Sequence, residues 1–341
     1  MKPVIKDIYG RTFRTLRVSL LNHCNLSCVY CVAGDDAVSS HSSSGPLVSP
    51  AFSRSVSGQA SAVAPPPSAL SVPDLLGIIE RLHGQLGLRT IRLTGGEPLL
   101  YHHLVELIAG IRSIGITDIK VTTNGFLLER LAAPMKTAGL ESLNVSLDAV
   151  DEEIFFRMSK RRGVNRIIRG IDAARKAGLD VKINTVVMKG MNDSQILPLL
   201  DFAFSRNLRI RYLEVMAMGH LYETADQYLF SQKDILSVIA GRYRITPLGR
   251  AGSATANYWQ TDEGRSFGII ANESEPFCGD CDRLRLDSEG NIYGCLSSNH
   301  PIPLVREETE IEWSAKLQKA LLQKQVLRFT GSDLSMLHIG G

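Results

Sequence analysis

The chain has 341 residues, 44% of them hydrophobic and 21% charged, with a formal charge of +3. So small an excess of positive charge excludes the strongly basic surface of a nucleic-acid binder, and no apolar run approaches the roughly 18 residues that a membrane span requires. Met1 to Gly10 carry charges and no long apolar stretch, which argues against a secretory leader and for a cytoplasmic protein.

Residues 13–20 alternate as a strand does. Further strand patterns fall near 89–94, 117–123, 142–147, 180–187 and 208–215. Helical patterns separate them at about 73–87, 102–114, 127–138, 164–177 and 194–206, and 232–241 follows the last; Asp148 to Ser159 adds a short helix. Alternating strand and helix predicts an α/β fold with a parallel sheet and right-handed crossovers. Six units predict an incomplete (β/α)6 TIM-like barrel, short of the eight that close a full one. The core is expected over 1–245, with 34–72, rich in Ser, Ala, Pro and Gly, as a low-complexity insertion. Residues 246–341 are expected to form a C-terminal module of short strands ending in a helix over 311–325.

The strands carry a second pattern. Leu16, Val18 and Leu20, Ile91 and Leu93, Leu143, Val145 and Leu147, and Val181 and Ile183 give each strand an apolar face suited to outer helices. The opposite faces hold Arg17 and Ser19, Arg92 and Thr94, Asn144, Ser146 and Asp148, and Lys182 and Asn184. A barrel packed only for stability fills its interior with Val, Ile and Leu. Polar groups turned inward without partners would each cost several kcal/mol, so a wet cavity or a ligand is implied. The alternative is a reversed orientation in which these charges are solvated.

The six cysteines form two distant trios, Cys24, Cys28 and Cys31, and Cys278, Cys281 and Cys295. In a large chain without a leader, metal or cluster ligation is favoured over disulfides. A cubane iron–sulfur cluster is closed by four thiolates. A trio spaced x3 then x2, with no near fourth Cys, leaves one iron open to a small molecule, which suits a catalyst better than an electron carrier. Zinc is the alternative, but its usual signature pairs Cys-x2-Cys with a fourth ligand. At the second trio zinc is a more serious rival, with His300 as the candidate fourth ligand. Thr94-Gly95-Gly96-Glu97-Pro98 follows the second strand, and its glycines let backbone approach a ligand closely. Thr122, Asn124, Ser146 and Asp148 end later strands, where Asn124 and Asp148 are equally suited to cap the following helices.

The Cys-x3-Cys-x2-Cys loop with Tyr30 inside it, followed in register by Gly-Gly-Glu, resembles the radical S-adenosylmethionine superfamily. That resemblance implies a [4Fe-4S] cluster on Cys24, Cys28 and Cys31 whose open iron chelates S-adenosylmethionine and cleaves it to a deoxyadenosyl radical. It implies cofactor contacts from Tyr30, Gly95, Gly96, Glu97, Thr122, Asn124, Ser146 and Met216. The second trio, the Arg-x-Arg at 283–285, Asn-Val-Ser-Leu-Asp at 144–148, Val-Lys-Ile-Asn-Thr-Val-Val at 181–187, Lys-Gly-Met-Asn-Asp at 189–193, Arg-Tyr-Leu-Glu-Val-Met at 211–216 and a terminal Gly340-Gly341 closely resemble one branch. This is the GTP 3′,8-cyclase (MoaA) family of molybdenum-cofactor biosynthesis.

The resemblance implies a lyase that cyclises GTP to (8S)-3′,8-cyclo-7,8-dihydroguanosine 5′-triphosphate. A second [4Fe-4S] cluster on Cys278, Cys281 and Cys295 would bind guanine. Arg17, Arg92, Lys182, Arg211, Arg283 and Arg285 would contact the triphosphate or complete its pocket, and Gly340 and Gly341 would enter the site as a catalytic tail. It further implies an external flavodoxin- or ferredoxin-like electron donor and transfer of product to cyclic pyranopterin monophosphate synthase, and it allows a homodimer. Two positions depart from the family's pattern. Thr90 stands where a Lys is common, with Arg89 as the nearest substitute, and His23 stands where an Arg is common.

Overall fold

A computed structural model describes residues 5–33 and 70–339. Most of the low-complexity stretch 34–72, and Gly340 and Gly341, therefore lie outside the described residues. The last three residues of that stretch belong to the fold. Leu70 packs against the core, the Ser71 hydroxyl accepts from the Asp74 amide as an N-cap, and buried Val72 opens the first helix.

The core alternates as the periodicity predicts, with boundaries shifted by one or two residues except at the short helix expected from Asp148, which begins at Glu152. The strands are β1 (Thr15–Ser19), β2 (Thr90–Thr94), β3 (Asp118–Thr123), β4 (Ser142–Ser146), β5 (Asp180–Val187) and β6 (Arg209–Glu214). The helices are α1 (Val72–Leu86), α2 (Leu104–Ser113), α3 (Leu128–Thr137), α4 (Glu152–Ser159), α5 (Val164–Lys176), α6 (Ile196–Ser205), α7 (Ala225–Tyr228) and α8 (Gln232–Ala240). β1 to β6 pair in sequence order, all parallel. Parallel neighbours need a long crossover, and the helices supply it. Leu75, Ile78, Ile79, Leu82 and Leu86 form the buried stripe of α1, set at helical spacing. Leu16, Val18, Ile91, Leu93, Leu143, Val145 and Ile183, on one face of the strands, are fully buried in the same core. The opposite strand face carries Arg17, Arg92, Asn144, Lys182 and Asn184 onto a cavity, the orientation that the apolar and polar alternation implies.

Residues beyond 245 add strands to both edges of this sheet. β9 (Ser266–Ile270) pairs parallel with β6, and β8 (Asn257–Thr261) and β7 (Ile245–Gly249) follow it antiparallel. β10 (Arg283–Leu286) pairs parallel with β1, and β11 (Asn291–Tyr293) and β12 (Ile302–Pro303) continue outward antiparallel. The result is a twelve-stranded sheet in which β10, β1 to β6 and β9 run parallel as one uninterrupted set. Helix α9 (Glu310–Leu322) opens with a reciprocal capping box between Thr309 and Glu312. It buries Trp313 beneath the Arg81 guanidinium, 4.1 Å from the ring centre. The chain closes with α10 (Met336–Ile339). Among the described residues no helix is long and apolar enough to cross a membrane.

Gly294 fixes where α9 sits, because a Cβ there would lie 1.7 Å from the carbonyl oxygen of Ala320. The backbone of the residue before Cys295 thus rests on the end of the helix. We expect Gly294→Ala to destabilise the protein by about 1–3 kcal/mol in urea denaturation, the usual cost of forcing atoms into a packed contact; an unchanged midpoint would show that α9 moves freely.

Candidate functional site

The first thiol loop leaves the C-terminal end of β1 and docks on the end of α4. The amides of Ser27 and Val29 donate to the carbonyls of Ser159 (3.1 Å) and Met158 (2.9 Å), which satisfies acceptors that a helix terminus leaves open. Arg161 donates to the Asn25 carbonyl at 2.9 Å, and the Asn124 side chain donates to Asn25 Oδ1 (2.7 Å) and to Cys24 Sγ (3.7 Å). Burial pushes the Cys24 and Cys31 thiols up to about 12. Burial also raises Cys28, and next come the neighbouring Asp148, Cys24 and Cys31. The Tyr30 hydroxyl donates to Asp148 at 2.8 Å. The other Asp148 oxygen accepts from the Val186 amide at 2.9 Å, so Asp148 ties the loop to β5 and does not cap α4, whose N-cap is Asp151. Asn124 is not a helix cap either: its Oδ1 accepts from the Phe126 amide in a local turn ahead of α3.

The two glycines after β2 are needed for a reason the sequence did not suggest. A Cβ on Gly96 would lie 2.0 Å from the His23 carbonyl oxygen, and one on Gly95 2.7 Å from that of Leu21. Backbone approaches backbone here, and the Gly96 and Glu97 amides donate to Leu21 and His23 at 2.6 and 2.9 Å. The Glu97 carboxylate is 1% exposed. It accepts from Leu99 N (3.0 Å), Thr123 Oγ1 (2.6 Å) and Asn124 N (2.7 Å), bracing the ends of β2 and β3 against each other. Burial, opposed by these three donors, raises its pKa to about 7.

The second trio enters from the opposite end of the strands. Cys278 and Cys281 precede β10, which runs parallel with β1, and Cys295 follows the antiparallel β11. A five-residue strand extends about 17 Å, so the trios face each other across the length of the barrel. Arg11 donates to the Cys278 carbonyl (2.8 Å), and Lys324 Nζ donates to Cys281 Sγ (3.2 Å) and to the Arg283 carbonyl (2.8 Å). Burial raises Cys278 to about 11, with Cys295 and Cys281 adding to it. Burial also pushes Cys281 up, but Arg283 and Lys324 outweigh it and bring that thiol down to about 6.

Between the trios lies a cavity of about 730 Å³ lined by all six cysteines. Nine cationic side chains reach it against three carboxylates. Strand register sets four of the cations in a row: Arg285 on β10 stands beside Arg17 on β1, Arg17 beside Arg92 on β2, and Arg92 beside Lys120 on β3. Like charges set directly opposite on neighbouring strands destabilise a sheet. Burial lowers the Arg17 pKa, and Arg285, Arg92 and Arg283 lower it further. Arg92 and Arg285 are each brought down to about 10, first by burial. A polar chain holds the row and its neighbours in place: Arg92 to Thr122 (3.5 Å), Asn144 to Thr122 (3.4 Å) and Arg211 to Asn144 (2.6 Å). Arg17 Nε, Arg211 Nε and Asn184 Oδ1 are buried with no hydrogen-bond partner among the described residues. Cations crowded in this way around unused donors fit a polyanion.

The tail reaches the same space. Met336 and Leu337 line the cavity, and the Leu337 backbone hydrogen-bonds the Cys31 thiol, opposing the rise that burial causes. Ser19 and Arg285 donate to the His338 and Ile339 carbonyls at 3.1 and 3.3 Å. Gly340 and Gly341 lie beyond the described residues.

Tyr30, Gly95, Gly96, Glu97, Thr122, Asn124, Ser146, Met216, Arg17, Arg92, Lys182, Arg211, Arg283 and Arg285 all line this one cavity. His300 is exposed and Arg89 does not line the cavity. Sequence reasoning missed Lys120, Arg209 and Lys324, which do. Lys120 was in principle readable as the inward residue of β3, two positions before Thr122; nothing in the motifs signals Lys324. Among the described residues no three His, Cys, Asp or Glu close round a single ion. A cubane takes each thiolate on a different iron and asks the three only to face a common volume, which each trio does.

A family model described as the Radical SAM superfamily matches residues 18–203, and another, Molybdenum Cofactor Synthesis C, matches residues 208–328. A Synechocystis protein named GTP 3′,8-cyclase is 34% identical over 341 residues, covering 100% of this chain and 96% of that relative. A Staphylococcus aureus protein of the same name is 36% identical over 300 residues, covering 86% of this chain and 81% of the relative. Among solved structures, Streptococcus suis SuiB bound to precursor peptide SuiA is similar with a TM-score of 0.60 at 15% identity, covering 92% of this chain and 67% of that one. That likeness speaks to the fold alone.

The Glu97 brace has a measurable pH signature. Its folded pKa of about 7 exceeds the ordinary 4.5, so the folded state binds the proton more tightly, and the stability this contributes below about pH 4.5 is lost as pH rises through about 7. Glu97→Gln removes that pH dependence and sets an amide NH2 against backbone donors, at a cost of about 1–3 kcal/mol. Urea denaturation at pH 5 and pH 7.5 should show the wild type losing more stability than the variant between the two; parallel losses would contradict the assignment.

Proposed function

The chain belongs to the radical S-adenosylmethionine superfamily and, within it, to the GTP 3′,8-cyclase family, and from that premise we propose how its residues divide the work. The reaction is the radical cyclisation of GTP to (8S)-3′,8-cyclo-7,8-dihydroguanosine 5′-triphosphate, the first step of molybdenum-cofactor biosynthesis. The observation that carries our assignment of residues is the in-register row Arg285, Arg17, Arg92 and Lys120 lying between two thiol trios.

We assign one [4Fe-4S] cluster to Cys24, Cys28 and Cys31 and the other to Cys278, Cys281 and Cys295. Both trios present three free thiols on a shared cavity, a donor set suited to iron–sulfur chemistry. Loaded with its clusters and S-adenosylmethionine, the site supplies radical initiation at the first trio and a Lewis-acidic seat for guanine at the second. The chain's own residues position and enclose the reactants. Backbone at Gly95 and Gly96, with Tyr30, Thr122, Asn124, Ser146 and Met216, lines the cofactor end. Glu97 keeps that backbone in place, since both its oxygens are already engaged by protein donors. The described part of the tail closes the cavity beside Cys31 and Arg285, leaving Gly340 and Gly341 to enter where side chains would clash. An external one-electron donor has to reduce the clusters, and cyclic pyranopterin monophosphate synthase would take the product.

The cationic row holds the triphosphate, supported by Lys182, Arg211 and Arg283. Lys120 serves in place of the lysine that Thr90 lacks: Thr90 Oγ1 and Lys120 Nζ both donate to Asp118 Oδ2, at 2.6 and 2.7 Å, so the cation has moved one strand along. A charge-assisted hydrogen bond contributes about 1.5–3 kcal/mol. Arg17→Ala and Lys120→Ala should therefore each raise KM for GTP by roughly 10- to 100-fold in steady-state assays, and Arg89→Ala should leave it unchanged. A Lys120→Ala enzyme with the wild-type KM would remove Lys120 from the row.

Anaerobic incubation with GTP, S-adenosylmethionine and dithionite tests the activity itself. Deoxyadenosine and cyclised GTP should both appear, and neither appearing despite two intact clusters would contradict the reading. One residue appended after Gly341 should abolish turnover without loss of either cluster; full activity would sink the role of the tail.

A further inference from the structure

Lys324, like Arg209, is a cavity cation that neither the motifs nor the triphosphate row accounts for. It lies just past the C-terminal end of α9 and is 8% exposed. Its ammonium donates to Cys281 Sγ at 3.2 Å and to the Arg283 carbonyl at 2.8 Å, and lies 5.2 Å from the centre of the Phe13 ring. None of these partners is a carboxylate. A buried charge persists only when something compensates it, and the sulfur is the only partner here that can carry full negative charge.

The residues on either side reach the same trio. Gln323 Oε1 accepts from the Gly294 amide, next to Cys295, at 2.8 Å. Arg11 donates both to the Gln325 carbonyl (3.3 Å) and to the Cys278 carbonyl (2.8 Å). Three successive residues after α9 are thus connected to all three cysteines of the second trio, and Gly294 lets the helix end approach closely enough for this.

We propose that Lys324 is a positioning residue for the second cluster: through its hydrogen bond to Cys281 it holds that ligand in place and raises the reduction potential of the iron–sulfur group bound there. The inference rests on the two-cluster reading above. The physical ground is general. An iron–sulfur cluster on thiolates gains negative charge when one electron enters, and its potential follows net charge, hydrogen bonds to sulfur and solvent exposure. A buried ammonium on a ligand sulfur stabilises the reduced form more than the oxidised one. No bond is made or broken in the step; a single electron is accepted from an external reductant.

The test is a redox titration with dithionite, monitored by electron paramagnetic resonance, on the reconstituted full chain. A parallel set in which Cys24, Cys28 and Cys31 are replaced by Ala isolates the second cluster. Lys324→Met keeps the length and apolar stem of the side chain and removes its charge. It should disfavour one-electron reduction of the second cluster by about tenfold, a fall of about 59 mV in midpoint potential, with the first cluster unshifted. Lys324→Arg should restore the wild-type value. Loss of the second cluster from Lys324→Met but not from Lys324→Arg would equally support a cation holding the ligand. An intact second cluster at unchanged potential in Lys324→Met overturns the proposal, as does loss of the cluster from both variants. A wild-type chain that loads no iron at the second trio overturns the two-cluster reading, and this proposal with it.

Discussion

Four cations in register across four parallel strands are the constraint on which the rest of this protein turns. Arg285, Arg17, Arg92 and Lys120 face one cavity, and a sheet built only for stability would not place them there. Burial and like-charge repulsion of Arg285, Arg17 and Arg92 act against the folded state, whereas Lys120 is paired with Asp118 at 2.7 Å. The sheet carries this load because its other face is packed under the outer helices with residues such as Leu16, Ile91 and Leu143 at zero exposure, each worth about 1.5–3 kcal/mol when buried. The stability comes from one side of the strands and is partly given up on the other, as is common where a site is preorganised for a charged ligand.

The direction of the strands then sorts the chemistry. Loops that follow parallel strands gather at one end of the barrel, so the first trio and the backbone after β2 share that end. The second trio reaches the other end because its first two cysteines come just before β10 and its third follows an antiparallel strand. A ligand anchored on the row therefore lies between the two thiol trios. The described part of the C-terminal tail lines the same space and makes backbone contacts to Ser19, Cys31 and Arg285. Chemistry is thereby divided between the ends, with the protein's own charges fixing what lies between them.

Much of this was legible in the sequence because the relevant signals are local. Periods of 2 and 3.6 placed β1 to β6 and, apart from the start of α4, their helices within a residue or two, and the alternation of Leu16, Arg17 and Val18 told the packed face from the inward one. What escaped depended on residues far apart in sequence. Strand register, which makes a row out of Arg285 and Arg17, cannot be read from either segment alone. The joining of β9 and β10 to opposite edges of one sheet is non-local in the same way. Gly95 and Gly96 were recognised as necessary, but the partner that requires them is the backbone at Leu21 and His23. Asn124 and Asp148 sit where helix caps belong, yet the chain uses them to hold the first thiol loop. Lys120 was hidden as one Lys in a short polar-faced strand, and Lys324 as an ordinary residue at the end of a helix.

If the row is a cost that the triphosphate offsets, removing one of its members should uncouple stability from binding. The most direct measurement is equilibrium denaturation of the wild type and of Arg17→Met, each with and without GTP. The account predicts that Arg17→Met is at least as stable as the wild type when free, because a buried, repelled charge has gone. It also predicts that GTP at about a hundred times the wild-type Kd stabilises the wild type by about 2.7 kcal/mol and the variant far less. An Arg17→Met protein that is markedly less stable when free, yet gains as much from GTP as the wild type, would contradict it.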